Sequence, residues 1–297
     1  MAAANGADKP VAIVTGASAG IGLQTALGLA RKGMRVVMTG RNPARTEAAR
    51  RRVAEASGNP EITTALADFA SLKEVRRLAD ELLEAHPRIA VLVNNAGLTA
   101  PRYEKSAEGY ELTFAVNHLA PFLLTNLLLD RLKESGPARP APRAERAVAP
   151  RVVTVASTAH RGAQIDPAQL AGQQDWSAYK AYGRSKLCNI LFTRELAARL
   201  GKDSGVVATC LHPGVVATEL GNRGGTLIGL GWRLGKPFML SAEKGAQTSI
   251  FLATVPDPTP FHGAYVIRKE IAQPSPAARD DELARRLWEE STRLVGL

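Results

Sequence analysis

A chain of 297 residues with 45% hydrophobic and 22% charged side chains has the make-up of a globular protein with a sizeable core. Its net charge of +10 comes from arginines scattered along Ala/Arg-rich stretches such as 44–52. No single basic run gathers them, which argues against a nucleic-acid partner. Two cysteines, Cys188 and Cys210, form neither a C-x-x-C pair nor a metal-ligand spacing, so no metal is expected and a reduced, intracellular setting is. Residues 1–10 are small and polar without the apolar run of a signal peptide, and no stretch of about 18 apolar residues offers a membrane span, so the expectation is a soluble, cytoplasmic chain.

In chain order, 11–15 is a short apolar strand that ends at a Gly-rich turn, Gly16-Ala-Ser-Ala-Gly-Ile-Gly22, and opens a helix running to about residue 32, with Gly33 past its end. A strand at 34–39 and a helix at 43–56, with Pro43 near its start, come next. Residues 62–66 are strand-like, and Ser71 with Glu74 forms a capping box for the following helix. The strand at 89–93 ends at Asn94-Asn-Ala-Gly97. A long helical pattern covers about 107–134 and is expected to bend near Pro121. Residues 135–150 are rich in Pro, Ala and Arg and read as a surface insertion, because the strand at 151–155 resumes the earlier alternation. A helix runs on from Tyr182, then come a strand at 206–211, a Gly-rich apolar stretch at 214–240, a helix capped by Ser241, a strand at 264–267 and a terminal helix within 278–297. Alternating strands and helices predict an α/β fold: one Rossmann-type, doubly wound parallel sheet of about seven strands, in a single domain spanning 1–297 with a flexible N-terminus at 1–8.

Two places carry chemistry on their own spacing. Glycines 16, 20 and 22, between a strand and a helix, allow a tight turn and close backbone approach to a phosphate, while the helix N-terminus supplies N–H groups and a positive dipole. Residues 34–42 contain no acid to hydrogen-bond a ribose 2′-hydroxyl. Gly40 stands where one is expected and Arg41 follows, so NADP(H) is favoured over NAD(H), with Ser18 as a second donor to the 2′-phosphate. Farther on, Tyr182 and Lys186 lie four apart on one helix face, where the ammonium would lower the phenol's pKa and make it a usable acid or base. An ordinary amphipathic helix with a surface lysine would show the same pair.

Five motifs in order, the Gly-rich turn with Thr15, Asn94-Asn-Ala-Gly97, Val116-Asn-His-Leu119, Ser157 and Tyr182-x-x-x-Lys186, resemble the short-chain dehydrogenase/reductase family over about residues 9–270. The stretches 114–129, 185–192, 212–219 and 245–248 are similar to its retinol dehydrogenase-like branch. The resemblance implies an NADP(H)-dependent oxidoreductase in which Tyr182 is the general acid in reduction and base in oxidation. Lys186 would lower its pKa and hold the nicotinamide ribose, Ser157 would hold the substrate carbonyl, and Asn117 would hold a water linking Lys186 to solvent. It also implies cofactor contacts from Gly16, Ser18, Gly20, Ile21, Gly22 and Arg41, from Asp68 and Phe69 at the adenine, from Asn95, Ala96 and Gly97 along the adenosine ribose, and from Pro213, Gly214, Val216 and Thr218 over the nicotinamide.

The 25 residues from Ser157 to Tyr182 are more than the family at large uses, though the retinol dehydrogenase-like branch has such an insertion. Residues 135–150 fall outside the pattern, as does the N-terminal membrane anchor frequent in retinol dehydrogenases, which is not expected here. Residues 214–240 are apolar with interspersed Arg223, Arg233 and Lys236. They read either as packing on the core or as a lid for a lipophilic aldehyde or ketone that touches a membrane surface peripherally. A homo-oligomer paired through the helices of Asn117 and Tyr182 is compatible with the family. His160 either faces the substrate or sits in the core. An epimerase or dehydratase on this fold, or a non-catalytic nucleotide-sensing binder, are the alternatives; the presence of both Tyr182 and Lys186 argues against the binder.

Overall fold

The computed structural model describes residues 11–136, 149–172, 175–216 and 240–297. The tail 1–8, most of the insertion 135–150, most of the stretch 214–240 and Thr218 lie outside the described residues.

Strands β1 (Val11–Val14), β2 (Arg35–Gly40), β3 (Ile62–Leu66), β4 (Val91–Asn94), β5 (Arg151–Val155), β6 (Val207–His212), β7 (Tyr265–Ile267) and β8 (Glu270–Ile271) form one sheet in the order β3-β2-β1-β4-β5-β6-β7-β8. All neighbours are parallel except β7 and β8. The strand order reverses between β1 and β4, which opens a crevice at their carboxyl ends where ligands of such sheets bind. The eighth strand was not legible in the sequence. Its hairpin turns at Arg268 and Lys269, both in the left-handed region at φ 52° and 70°, without the glycine or asparagine that signals such a turn.

Helices α1 (Gly20–Arg31), α2 (Pro43–Ser57) and α6 (Ala242–Thr254) pack on one face of the sheet. Helices α3 (Leu72–Ala85), α4 (Leu112–Glu134), α5 (Ala178–Leu200) and α7 (Asp281–Val295) pack on the other. The expected caps are in place, Ser71 accepting from Glu74 N and Ser241 from Lys244 N, and Asn42, not singled out in the sequence, caps the helix at Pro43 by accepting from Arg45 N. The helix at Tyr182 begins earlier than its apolar periodicity shows, because Ser177 caps it at Lys180 N.

Helix α4 departs most from expectation. It starts at Leu112, not near 107, and Ala115–Leu119 is a π segment just before Pro121. Proline has no N–H to offer the carbonyl of Asn117 four residues earlier, so the regular ladder has to be broken here. By length and hydropathy α4 would also pass for a membrane span, and 78% of its apolar window is buried inside the fold.

Helix α7 is amphipathic: Ala284, Leu287, Ser291, Leu294 and Val295 recur at helical spacing and are buried. Trp288 stacks on Phe192 of α5 at 5.9 Å and meets Phe122 of α4 edge-on at 4.9 Å. α7 therefore lies over part of the face formed by the helices of Asn117 and Tyr182. Many surface arginines pair along their own helices, as Arg50 and Arg51 do with Glu47, and Arg285 with Glu282 and Glu289.

Candidate active site

The turn after β1 is built by backbone approach. Gly16 takes φ 64° and Gly20 φ 57°, and a Cβ at Gly16 would stand 2.8 Å from Ala96 Cα. A Cβ at Gly22 would meet Asn95 Nδ2 and the Gly16 carbonyl, both at 2.4 Å. Thr15, fully buried at the end of β1, joins the two turns: its Oγ1 accepts from Asn95 N at 3.0 Å and Ala96 N at 2.9 Å. Asn95 Nδ2 returns a bond to the Thr15 carbonyl at 2.7 Å. Helix α1 starts at Gly20 after Ala19, and among the described residues no side chain caps its first N–H groups, nor does its first turn carry an acid. Uncapped N–H groups and a cradle that any side chain would fill are what a nicotinamide dinucleotide's pyrophosphate requires. Thr15 belongs to the same motif, and its role as the hub depends on a contact 80 residues away that spacing alone does not show.

At the end of β2, a Cβ on Gly40 would lie 2.3 Å from Thr46 Oγ1, so α2 leaves no room there for the acid of an NAD site. Arg41 is exposed beside it. An open cavity of about 450 Å³ at the start of α1 is lined by Ser18, Gly20, Gln24, Arg45 and Arg52, with Arg41 outside its walls. Asp68 is exposed after β3 and accepts from Ala70 N at 3.0 Å. The Phe69 ring is buried in the core.

The π segment of α4 turns Asn117 inward, fully buried, and its amide grips the turn after β4. Oδ1 accepts from Leu98 N at 2.7 Å, while Nδ2 donates to the Leu98 carbonyl and to Ser185 Oγ, each at 2.9 Å. Ser185 in turn donates to the Tyr182 carbonyl at 2.8 Å. A Cβ on Gly97 would stand 3.2 Å from Asn117 Oδ1 and 3.7 Å from Lys186 Nζ, so the Asn-Asn-Ala-Gly turn, Asn117 and Lys186 converge. Lys186 Nζ donates to the Val155 carbonyl at 2.9 Å and lies 5.5 Å from the centroid of the Tyr182 ring. Burial pulls its pKa down to about 8.

The Ser157 side chain lies next to the Tyr182 phenol. The phenol's pKa is raised, opposite to the direction read from the Tyr/Lys pair: burial dominates, and the Ser157 side chain pulls the other way. Ser157 caps the 3₁₀ turn Thr158–Gly162, its Oγ accepting from Ala159 N at 3.2 Å.

After β6, Gly214 takes φ 89°, and Leu240 N donates to the Val215 carbonyl at 2.9 Å, so Val215 and Leu240 lie side by side. A Cβ on Gly245 would meet Val216 at 2.5 Å and Ile21 at 3.4 Å, which joins the predicted Ile21 and Val216 across the start of α6. His160 is a core histidine. His118, stacked on Phe114 at 5.3 Å, shares a 2.9 Å hydrogen bond with Ser291 of α7, and burial lowers its pKa to about 3. Asn189, absent from the predicted site, donates to the same Val155 carbonyl as Lys186, at 3.3 Å. A second cavity, about 230 Å³ between Glu111, Trp176 and Arg184, borders α5 without reaching Ser157, Tyr182 or Lys186.

A family model described as short chain dehydrogenase matches residues 10–225. Mouse retinol dehydrogenase 12 is 40% identical over 287 residues, covering 97% of this chain and 86% of the relative. Human retinol dehydrogenase 13 is 40% identical, covering 96% and 84%. Among solved structures, an uncharacterised protein of Mycobacterium paratuberculosis matches with a TM-score of 0.75 and 31% identity, covering 98% of this chain and 96% of that one. Pseudomonas aeruginosa RhlG, solved as an active-site complex with NADP, matches with a TM-score of 0.64 and 25% identity, covering 87% and 94%. The chain belongs to the short-chain dehydrogenase/reductase family, in its retinol dehydrogenase-like branch, and is a nicotinamide-dependent oxidoreductase acting on CH–OH and C=O groups.

Proposed function

We propose that this enzyme is an NADP(H)-dependent carbonyl reductase, reversible as an alcohol dehydrogenase, for lipophilic aldehydes or ketones, with both halves of its site on one domain. The observation that carries the reading is the convergence of the Ser157 side chain and Lys186 on the Tyr182 phenol, with Lys186 Nζ 5.5 Å from the ring centroid and held by the Val155 carbonyl. When bound, the cofactor supplies or takes up the hydride. The chain's own residues do the rest. Tyr182 gives its phenolic proton to the substrate oxygen in reduction and recovers it in oxidation. Ser157 donates to that oxygen as charge develops on it. Lys186 holds positive charge under the phenol and favours its ionised form. Asn117 fixes the Leu98 peptide and, through Ser185, the Tyr182 backbone, and on this reading it also positions a proton-relaying water.

Gly16, Ser18, Gly20, Ile21 and Gly22 would cradle the pyrophosphate, and Asn95 to Gly97 would follow the adenosine ribose. Asp68 would take the adenine, with Phe69 anchoring that turn from the core. Pro213, Gly214, Val216 and Thr218 would cover the nicotinamide. Arg41, with Ser18, would pair with the 2′-phosphate, supported by the lack of room for an acid at Gly40. The apolar 214–240 stretch supports a lipophilic substrate and a peripheral membrane contact; no co-sedimentation with anionic vesicles at low salt would remove the contact.

The test is oxidation of NADPH, with NADH as control, against retinal, steroid ketones and small aromatic carbonyls. NADPH is expected to be preferred. Arg41→Ala should raise the KM for NADPH about tenfold or more and leave that for NADH unchanged, through the lost guanidinium pair. Equal use of both cofactors by the unaltered enzyme would overturn the preference.

A further inference from the structure

His160 lies in none of the assigned catalytic or cofactor positions, yet it is fully buried three residues after Ser157. Its ring is bonded at both nitrogens. Nε2 is 3.0 Å from the backbone N–H of Ser275, which can only donate, so Nε2 is the acceptor. The ring proton is then on Nδ1, 2.6 Å from the Ser157 carbonyl, which accepts it. The Tyr265 ring of β7 meets the imidazole edge-on at 5.2 Å. One neutral tautomer satisfies every partner.

The turn 158–162 is wedged between two walls. On one side the Ala159 carbonyl lies 3.0 Å from where a Cβ on Gly183 would stand, directly beside Tyr182 on α5. On the other, His160 reaches the segment after β8 at Ser275. Thr158 N donates to His212 Nδ1 at 3.3 Å, fixing the turn to the end of β6 as well. Ser157 Oγ already accepts from Ala159 N, so the hydroxyl can be aimed at Tyr182 only while its own backbone is held.

The geometry points to His160 as a positioning residue: its Nδ1–H, locked in place by Ser275, holds the Ser157 peptide so that the hydroxyl stays beside Tyr182. This rests on the reading of Ser157 as the carbonyl-holding group. It makes the segment after β8, far from the Gly-rich turn in sequence, part of the machinery that orients the reacting oxygen.

Three substitutions separate the two bonds. In His160→Asn the side-chain amide occupies the Nδ1 position and still reaches the Ser157 carbonyl. His160→Gln reaches toward Ser275 but not back to Ser157, and His160→Ala keeps neither. All three, with Ser157→Ala, are assayed for kcat and KM with NADPH and the fastest aldehyde of the panel, and for Tm and NADPH affinity. His160→Gln and His160→Ala should lose about 10–100-fold in kcat with KM within about twofold, and His160→Asn should stay within about threefold of the unaltered enzyme although its Tm also falls. Turnover in His160→Asn as low as in His160→Ala would overturn the inference, as would full turnover in His160→Ala while Ser157→Ala is impaired. Full turnover in Ser157→Ala would instead remove the reading of Ser157 and the inference with it.

Discussion

The two faces of the sheet are built on different principles. Under α1, α2 and α6 the core is mainly aliphatic, from Val36 and Met38 to Leu29 and Leu252, with the small hydroxyls of Thr25, Thr46, Thr248 and Ser249 buried on those helices, and a Cβ on Gly28 would stand 2.3 Å from Ile250. The charge buried there, Arg151, closes the end of α6 through the carbonyls of Leu252 and Val255. Under α4, α5 and α7 the core instead encloses Asn117, His118, Ser185, Lys186 and Asn189, all buried and mostly bonded to one another or to backbone. The first face stabilises a frame. The second accepts the cost of burying polar groups in order to hold Tyr182 and Lys186 in one geometry.

Substitutions should therefore act differently on the two faces. Lys186→Met removes the ammonium beside the phenol, and a loss of about 10²–10⁴-fold in kcat with little change in Tm is expected; a Tm loss with kcat retained would reverse the assignment of the two faces. Arg151→Met should do the opposite. It leaves the carbonyls of Ala149, Leu252 and Val255 without their donor, lowering stability by about 2 kcal/mol while kcat per folded molecule stays unchanged. Urea unfolding beside active-site titration would read both quantities.

The same burial of polar groups governs the response to acid. Burial holds His118 at about 3 and His212 at about 4, against an ordinary value of about 6.5. Between about pH 6.5 and 4 the unfolded chain binds protons that the folded chain refuses, so stability drops as pH falls through that window, by about 1.4 kcal/mol per unit for each such histidine, and is restored above it. His118→Gln, which keeps a polar partner for Ser291, should flatten that slope by one histidine's share. An unchanged slope would show that His118 is not held neutral in the fold.

The frame was largely legible because its signals are local. Glycines at 16, 20 and 22, caps at Ser71 and Ser241 and apolar strands mark their own positions. The tyrosine-lysine spacing and the Asn-Asn-Ala-Gly turn did the same for the site's location. The rest depends on distance in space. The π segment at Asn117 follows from Pro121 only once the helix packs against the Leu98 turn. The raised pKa of Tyr182 comes from burial, which a spacing of four does not reveal. Thr15, Asn189 and His160 take their roles from partners 34 to 115 residues away, and Ser185 takes its role from Asn117, 68 residues away, together with the Tyr182 carbonyl one turn back.

The central claim is that the second face exists to present one phenol. Tyr182→Phe deletes a single oxygen and leaves the ring, Lys186 and the Gly-rich turn in place. Steady-state turnover of this variant, alongside NADPH binding followed by fluorescence, tests the claim most directly. The account predicts a fall of at least about 10³-fold in kcat with NADPH affinity within about twofold. Turnover equal to that of the unaltered enzyme would contradict it.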